Sequence, residues 1–364
     1  MVKVHEILDV LIENLTEQDI ILGYDQYSSD KLEYPECYAM LITTLFYKYQ
    51  LTNDDYYWKK AESYINRLKE ISLSEDSHIW WGLPFNWGET NKCDGFLITT
   101  SFVLNSLSLW YNTGKYLDFS LIKGASNWIL SLFVSNDTHG FYYSKKLRTN
   151  IYNATSIAIG SLSQISNLLS NEDRDRLHLA ASSLVSIQKS GYWNYSKNNS
   201  EVDLLHQSYT CEGLFQYSSV FNNENTLKSA IYGVNFIMNK LKVNRIERYL
   251  FSLRDKEKIR TKIKHLIIKI LYIIDPNNFR FSRPRAWSYA AYIRVLIYTV
   301  KYDENPLIRN RLIHIIEFVH DKILSDTYVR YSENSPIRYV RNECHMLASL
   351  AMYEYYIETG GKHG

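Results

Sequence analysis

The sequence predicts an all-α fold, an (α/α)6 toroid whose six helical hairpins form two concentric layers. Three observations predict it. A short aromatic stretch recurs six times, a helix apolar nearly all round follows each stretch, and a helix with a charged face follows that. A helix apolar on every side requires burial on every side. An inner ring wrapped by an outer ring supplies that burial. An open helical solenoid is the alternative, and it requires polar capping repeats at both ends.

The aromatic stretches read as short loop or strand segments before the inner helices. "GYDQYSSD" from Gly23, "GFYYSKKL" from Gly140 and "GYWNYSKN" from Gly191 are near copies, and "GLPFNWGE" from Gly82 is looser. "NFRFSRPR" from Asn278 and "YVRYSENS" from Tyr328 keep the aromatic alternation without the leading glycine. The steps between the six are 59, 58, 51, 87 and 50 residues, so one unit is longer than the others.

Each inner helix is rich in small and apolar residues: "CYAMLITTLFYKY", "DGFLITTSFVLNSLSLWY", "NATSIAIGSLSQISNLL", "SYTCEGLFQYSSVF", "AWSYAAYIRVLIYTV" and "CHMLASLAMYEYY". The outer helices are amphipathic. In "NPLIRNRLIHIIEFVHDKI", Leu307, Ile308, Leu312, Ile315, Ile316, Val319 and Ile323 recur at helical spacing between charges. Asn53 and Asn305 read as helix caps, with Pro306 in a first turn that tolerates proline. Met1 to Leu15 supplies an outer helix before the first aromatic stretch, which gives twelve helices and favours closure. The expected organisation is one toroid domain over 1–364 with a helical insertion at about 245–276.

The insertion accounts for the long step. Ile259, Ile263, Leu266, Ile267, Ile270 and Leu271 form an apolar stripe, and Lys256, Lys258, Arg260, Lys262 and Lys264 crowd the other side. Such a helix either packs on the flank of the toroid or lies on an anionic membrane surface through 254–274. Net charge over the chain is only +2, which argues against nucleic acid as a partner. "MVKVHEILDVLIENL" alternates charge with apolar residues and reads as a first helix, not a signal peptide. Four cysteines without close pairing fit a reducing compartment, so the expected location is cytoplasmic.

The layout resembles the six-hairpin glycosidase-like toroids, and more closely a branch found among bacterial and archaeal polysaccharide-biosynthesis proteins. "WGLPFNWGETNKCDGFLITTSFVLNSL", "GYWNYSKNNSEVDLLHQSYTCEGLFQY" and "YVRYSENSPIRYVRNECHMLASLAMYEYY" carry the resemblance. It implies a carbohydrate-active protein. In unsaturated glucuronyl hydrolases of the same toroid, an acid opening an inner helix is the general acid/base, and Asp94 in "CDGFLITT" is similar to that position.

In a toroid the junctions between aromatic loops and inner helices converge on one mouth. Acid/base chemistry on a sugar needs two groups flanking the reacting bond. Asp94 and Asp203 each end an aromatic loop just before an inner helix, and either acid could instead serve as a helix cap. His206 is a candidate base or proton shuttle, and His345 a second histidine at the mouth. Arg283, Arg285, Arg338 and Arg341 come from the last two aromatic loops, with Arg148 and Lys146 from the third, and suit a carboxylate or phosphate on a ligand, or internal ion pairs with Glu333, Glu343 and Asp326. Tyr152 lies at the third junction. Trp81 and Trp87 of the second unit, Trp193 of the fourth and Trp287 of the fifth stand in or beside the aromatic stretches, some bracing the hairpins and others facing a sugar ring.

The expected function is therefore an acid/base enzyme, a hydrolase, lyase or epimerase, acting on an oligo- or polysaccharide, with an acidic glycan the natural match for the arginines. Asp94, Asp203 and His206 are the candidate catalytic residues; Trp81, Trp87, Tyr152, Trp193, Arg285, Trp287, Arg341 and His345 are the candidate binding residues. A non-catalytic glycan-binding or assembly protein is the alternative. A third class, a zinc-dependent toroid like lanthionine cyclases or prenyltransferases, would draw on Cys211, Cys344 and His345, but the cyclase-type glycines are missing. No cofactor or metal is expected.

Overall fold

A computed structural model describes residues 5–17, 19–88, 90–116, 118–135, 138–240 and 284–361. The insertion at 245–276 and its membrane face at 254–274 lie outside the described residues. Twelve α-helices are found among those described. The inner ones are α2 (Pro35–Thr52), α4 (Leu97–Asn112), α6 (Tyr152–Ser163), α8 (Leu204–Phe221), α10 (Ala286–Tyr302) and α12 (Val340–Glu358). Each inner helix packs on the next, and α12 packs on α2, so the inner ring closes. The toroid is thus observed, not the open solenoid.

The inner helices behave as their composition demands: every residue of α6 is buried. The outer helices are α1 (His5–Thr16), α3 (Asp55–Glu70), α5 (Phe119–Ser131), α7 (Asn171–Ser186), α9 (Glu224–Lys240) and α11 (Pro306–Lys322). They bury one stripe only; in α11 it is Ile308, Leu312, Ile315, Ile316 and Val319. Leu307, grouped with that stripe in the sequence, is 64% exposed. Asn305 caps α11 by accepting the Leu307 N–H. Asn53 ends α2 in a left-handed conformation (φ 53°), and the neighbouring Asp54 caps α3 instead.

The seam where the ring closes is fastened by ion pairs. Near the ends of α2 and α12, Lys48 Nζ lies 3.2 Å from Glu354 and 2.7 Å from Asp9 of α1. Near their starts, Arg341 donates to Glu36. Between α6 and α8 the contact is backbone to backbone: a Cβ on Gly213 would stand 1.9 Å from the Ser156 carbonyl oxygen.

Four two-stranded antiparallel hairpins stand in or just before the aromatic stretches: β1 (Leu22–Asp25) with β2 (Ser28–Glu33), β3 (Leu73–Glu75) with β4 (His78–Trp80) ahead of the stretch from Gly82, β5 (Phe133–Ser135) with β6 (His139–Phe141) leading into the stretch from Gly140, and β7 (Arg330–Ser332) with β8 (Ser335–Arg338). One contact fixes each loop to its inner helix. The fourth residue of the helix accepts a hydrogen bond from a buried backbone N–H of the loop: Tyr38 from Ile21, Thr100 from Trp81, Thr155 from Phe141, Gln207 from Trp193 and Glu343 from Val329. A buried N–H needs such a partner. The loop of the remaining unit falls outside the described residues.

Candidate functional site

The loops converge on the N-terminal ends of the inner helices, around a cavity of about 130 Å³. Its walls include Tyr27, Trp87, Tyr143 and Tyr195 from four loops, and Asn153, His206, Tyr209, Arg285, Trp287, Arg341 and Glu36 from the junctions and inner helices. Tyr27 and Trp87 meet edge to face with centroids 4.5 Å apart. Both keep open ring surface, at 44% and 39% exposure. The Asn153 side-chain oxygen is buried in this wall without a hydrogen-bond partner among the described residues, so it is an acceptor open to a ligand hydroxyl.

One side of the cavity holds a carboxylate–histidine dyad. Asp203 caps α8 through Oδ1, which accepts the His206 N–H at 2.9 Å, while Oδ2 bonds the His206 ring at Nδ1. Burial pushes the Asp203 carboxyl up. The charge and hydrogen bonds of His206, with Arg285 beyond, outweigh burial and hold it below the usual carboxylate range. Bonded to an ionised carboxylate, Nδ1 carries the proton, which leaves Nε2 as the basic nitrogen. The His206 ring packs edge to face on Tyr195 at 4.7 Å.

The floor is a buried chain of hydrogen bonds. Arg341 Nε and Nη2 donate to Glu36 Oε2 at 3.1 and 2.8 Å, and Nη1 reaches Asp25 at 3.4 Å. His345 Nε2 contacts Glu36 Oε1 at 2.8 Å. Burial raises the Glu36 carboxyl, but Arg341 and His345 more than reverse this and bring it to about 2. Burial lowers His345; Glu36 opposes and Arg294 and Arg341 reinforce, leaving it at about 4. A neutral His345 beside an ionised Glu36 donates from Nε2. Its Nδ1 accepts from Tyr209 Oη at 3.4 Å, and Tyr209 in turn accepts from Trp287 Nε1. His345 has no exposed surface, and its ring stacks on Trp287 at 4.4 Å.

The structure therefore brings His206, Asp203, Trp87, Arg285, Trp287 and Arg341 together at one mouth, with His345 beneath them. Of the internal pairs that the sequence offered, Arg338 with Glu343 is formed at 2.7 Å, whereas Arg341 is committed to Glu36 and Asp25. Arg285 donates to Tyr27 Oη at 3.3 Å and lies 4.5 Å over the Trp287 ring. No carboxylate lies within ion-pair distance of it among the described residues.

Other candidates stand elsewhere. Trp81 and Trp193 have no exposed surface; their indole N–H groups donate to Leu68 and Leu184 carbonyls of the outer helices, so both brace hairpins and offer no face to a sugar. Tyr152 is buried beside the cavity, where its backbone N–H pairs with Tyr195. Asp94 neither caps α4, whose N-cap is Phe96, nor lines the cavity. It accepts the Asn91 N–H at 2.7 Å and pairs with Lys146 of the next loop at 2.8 Å. These partners outweigh desolvation and hold its carboxyl low. No group of three His, Cys, Asp or Glu side chains placed to hold a metal occurs among the described residues. No helix among them is long and apolar enough to cross a membrane.

Sequence reading missed Tyr27 and Tyr143. The signal was present: an aromatic residue followed by serine recurs at Tyr27, Tyr143 and Tyr195, and all three tyrosines reach the cavity. Tyr209 carried no such signal, because an inner helix buried all round does not mark which residue faces its axis, whereas Asn153 and Glu36 are marked by their places at the loop–helix junctions.

The closed ring of six helical hairpins defines the fold as an (α/α)6 toroid. No protein-family model and no curated protein sequence matches the chain. Solved structures do match along nearly its whole length. A GH76 α-mannanase from Bacteroides thetaiotaomicron has a TM-score of 0.68 at 13% identity, covering 97% of this chain and 95% of its own. A sugar epimerase from a ruminal bacterium has 0.67 at 12%, covering 96% of each. An unsaturated glucuronyl hydrolase specific for heparin has 0.67 at 13%, covering 97% and 96%. At such identities the likeness is one of fold.

Proposed function

We propose that this protein is an acid/base enzyme acting on an oligosaccharide or a sugar derived from one, in polysaccharide biosynthesis or modification. The observation that carries the reading is the Asp203–His206 dyad set into a tyrosine- and tryptophan-walled cavity beside Arg285. The dyad supports proton transfer at a sugar carbon, the chemistry of epimerases, isomerases and lyases. Hydrolysis calls for two carboxyl groups placed around the glycosidic bond, and the Glu36 and Asp25 carboxylates at the floor are engaged by Arg341.

In this reading Asp203 holds the imidazole with Nδ1 protonated, and His206 Nε2 takes a proton from a carbon next to a carbonyl or carboxyl group. Tyr27 and Trp87 offer ring faces to the sugar, Asn153 accepts from a hydroxyl, and Arg285 meets a carboxylate or phosphate on an acidic substrate. Incubation in D2O with mannose, cellobiose and glucuronate, followed by proton NMR, tests it. Deuterium entering a carbon position in the wild type and not in His206→Gln is the expected result. Release of new reducing ends without exchange would replace the reading by hydrolysis, and ligand binding with neither outcome would leave a binding protein.

A further inference from the structure

A second cavity, of about 250 Å³, opens at the opposite end of the barrel, toward the C-terminal ends of the inner helices. All six inner helices border it, through residues such as Tyr47, Asn105, Ile157, Gln216, Lys301 and Tyr355. A single layer divides it from the upper cavity: Phe102 faces the lower space, with its ring 5.2 Å from Tyr209 and 5.4 Å from His345. The reaction proposed above makes no use of this space.

Its charges do not cancel. Arg294 and Glu212 neutralise each other through paired hydrogen bonds of 2.8 and 3.0 Å. Lys301 remains. It has no hydrogen-bond or ion-pair partner among the described residues, and its ammonium lies 5.8 Å from the Tyr298 centroid. Burial alone acts on it, pushing its pKa down. The C-terminal end of α10 favours a cation at this position, which explains why it is tolerated. A helix end supplies only partial charge, and the three N–H donors of the half-buried ammonium meet no protein acceptor among the described residues. Tyr47, Tyr298 and Tyr355 line the same cavity as Lys301; Tyr47 and Tyr355 lie with ring centroids 5.6 Å apart, and Tyr298 stacks on Phe215.

We propose that the lower cavity is a second binding site, for a small ring-bearing monoanion whose carboxylate or phosphate meets Lys301 and whose ring lies among Tyr47, Tyr298 and Tyr355. A cavity of about 250 Å³ has room for a six-membered ring with a substituent. A flat aromatic acid and a sugar acid both carry this chemistry.

Isothermal titration of the full chain with benzoate and, separately, with glucuronate tests the site and distinguishes the two. At least one probe is expected to bind the wild type. Lys301→Met should weaken it about tenfold or more, as loss of a charge-assisted contact implies, and Lys301→Arg should retain it within about threefold. Arg285→Met, in the upper cavity, should leave benzoate binding unchanged; glucuronate, itself a candidate for the upper cavity, is titrated in the Arg285→Met background, so that the Lys301-dependent binding is read apart from the reaction proposed above. Binding by neither probe, binding indifferent to Lys301→Met, or benzoate binding lost in Arg285→Met instead would overturn the proposal. A wild-type crystal soaked with 4-bromobenzoate gives a check that needs no variant: anomalous density beside Lys301 supports the site, and its absence at saturating probe overturns it for the aromatic acid.

Discussion

Asp203 serves His206 twice, with Oδ1 on its backbone N–H at 2.9 Å and Oδ2 on its ring. The two roles separate by substitution. Asparagine caps helices about as well as aspartate, so Asp203→Asn should hold the melting temperature within about 2 °C while weakening the base. Asp203→Ala should additionally lose about 1 kcal/mol of stability. His206→Gln should lower turnover by about 10²–10⁴-fold, the usual worth of a positioned base. Thermal melts beside deuterium-exchange rates read both effects; equal rates in wild type and Asp203→Asn would remove the dyad from the mechanism.

The floor of the cavity predicts acid lability. His345 binds its proton at about 4 in the fold against 6.5 ordinarily, so the unfolded chain takes up a proton first as pH falls. Stability should therefore drop between about pH 6.5 and 4. Glu36, at about 2 against 4.5, extends the loss below pH 4.5, since its contribution is present above that value and vanishes as the carboxylate is protonated. Urea unfolding from pH 7.5 to 4 should show the midpoint falling, and His345→Gln should flatten that limb.

Removing Arg341 strands Glu36 and Asp25 at the ring-closing seam. Arg341→Ala should cost about 3–5 kcal/mol, as for one partner taken from a buried ion pair. Denaturant titration measures it. A loss below 1 kcal/mol would mean that water enters and solvates the two acids.

Gly213→Ala tests the closest helix contact. Its Cβ would press on the Ser156 carbonyl, which is backbone and has little room to yield, so about 3 kcal/mol of destabilisation is expected. Gly114→Ala, with open space around its Cβ and φ of +73°, should cost only the smaller backbone strain of about 1 kcal/mol.

What the sequence made legible was periodic or local. The apolar stripe of α11, the all-round burial of α6 and the Asp203 cap follow from residues a few positions apart. Long-range pairing was not legible. Glu36 and Arg341 are 305 positions apart, and nothing in "PECYAM" or "YVRNECH" reveals that their charges cancel. The same limit governed the tryptophans: Trp81 and Trp87 lie six residues apart in one loop, yet the first is wedged behind an outer helix and the second stands at the mouth. Asp94 was misplaced for a related reason. Its partner Lys146 comes from the next loop, and neighbouring loops touch only once the ring has closed.

The bond from each loop to the fourth residue of its inner helix has a wider meaning. Five units make it with a phenol, two alcohols, an amide and a carboxylate, so what repeats is an acceptor at a fixed place and not a side chain. An architecture held this way can drift in its letters while its joints stay where they are. Within this chain the joint recurs while the residue that makes it changes, and the ring superposes on sugar enzymes with which it shares about one residue in eight.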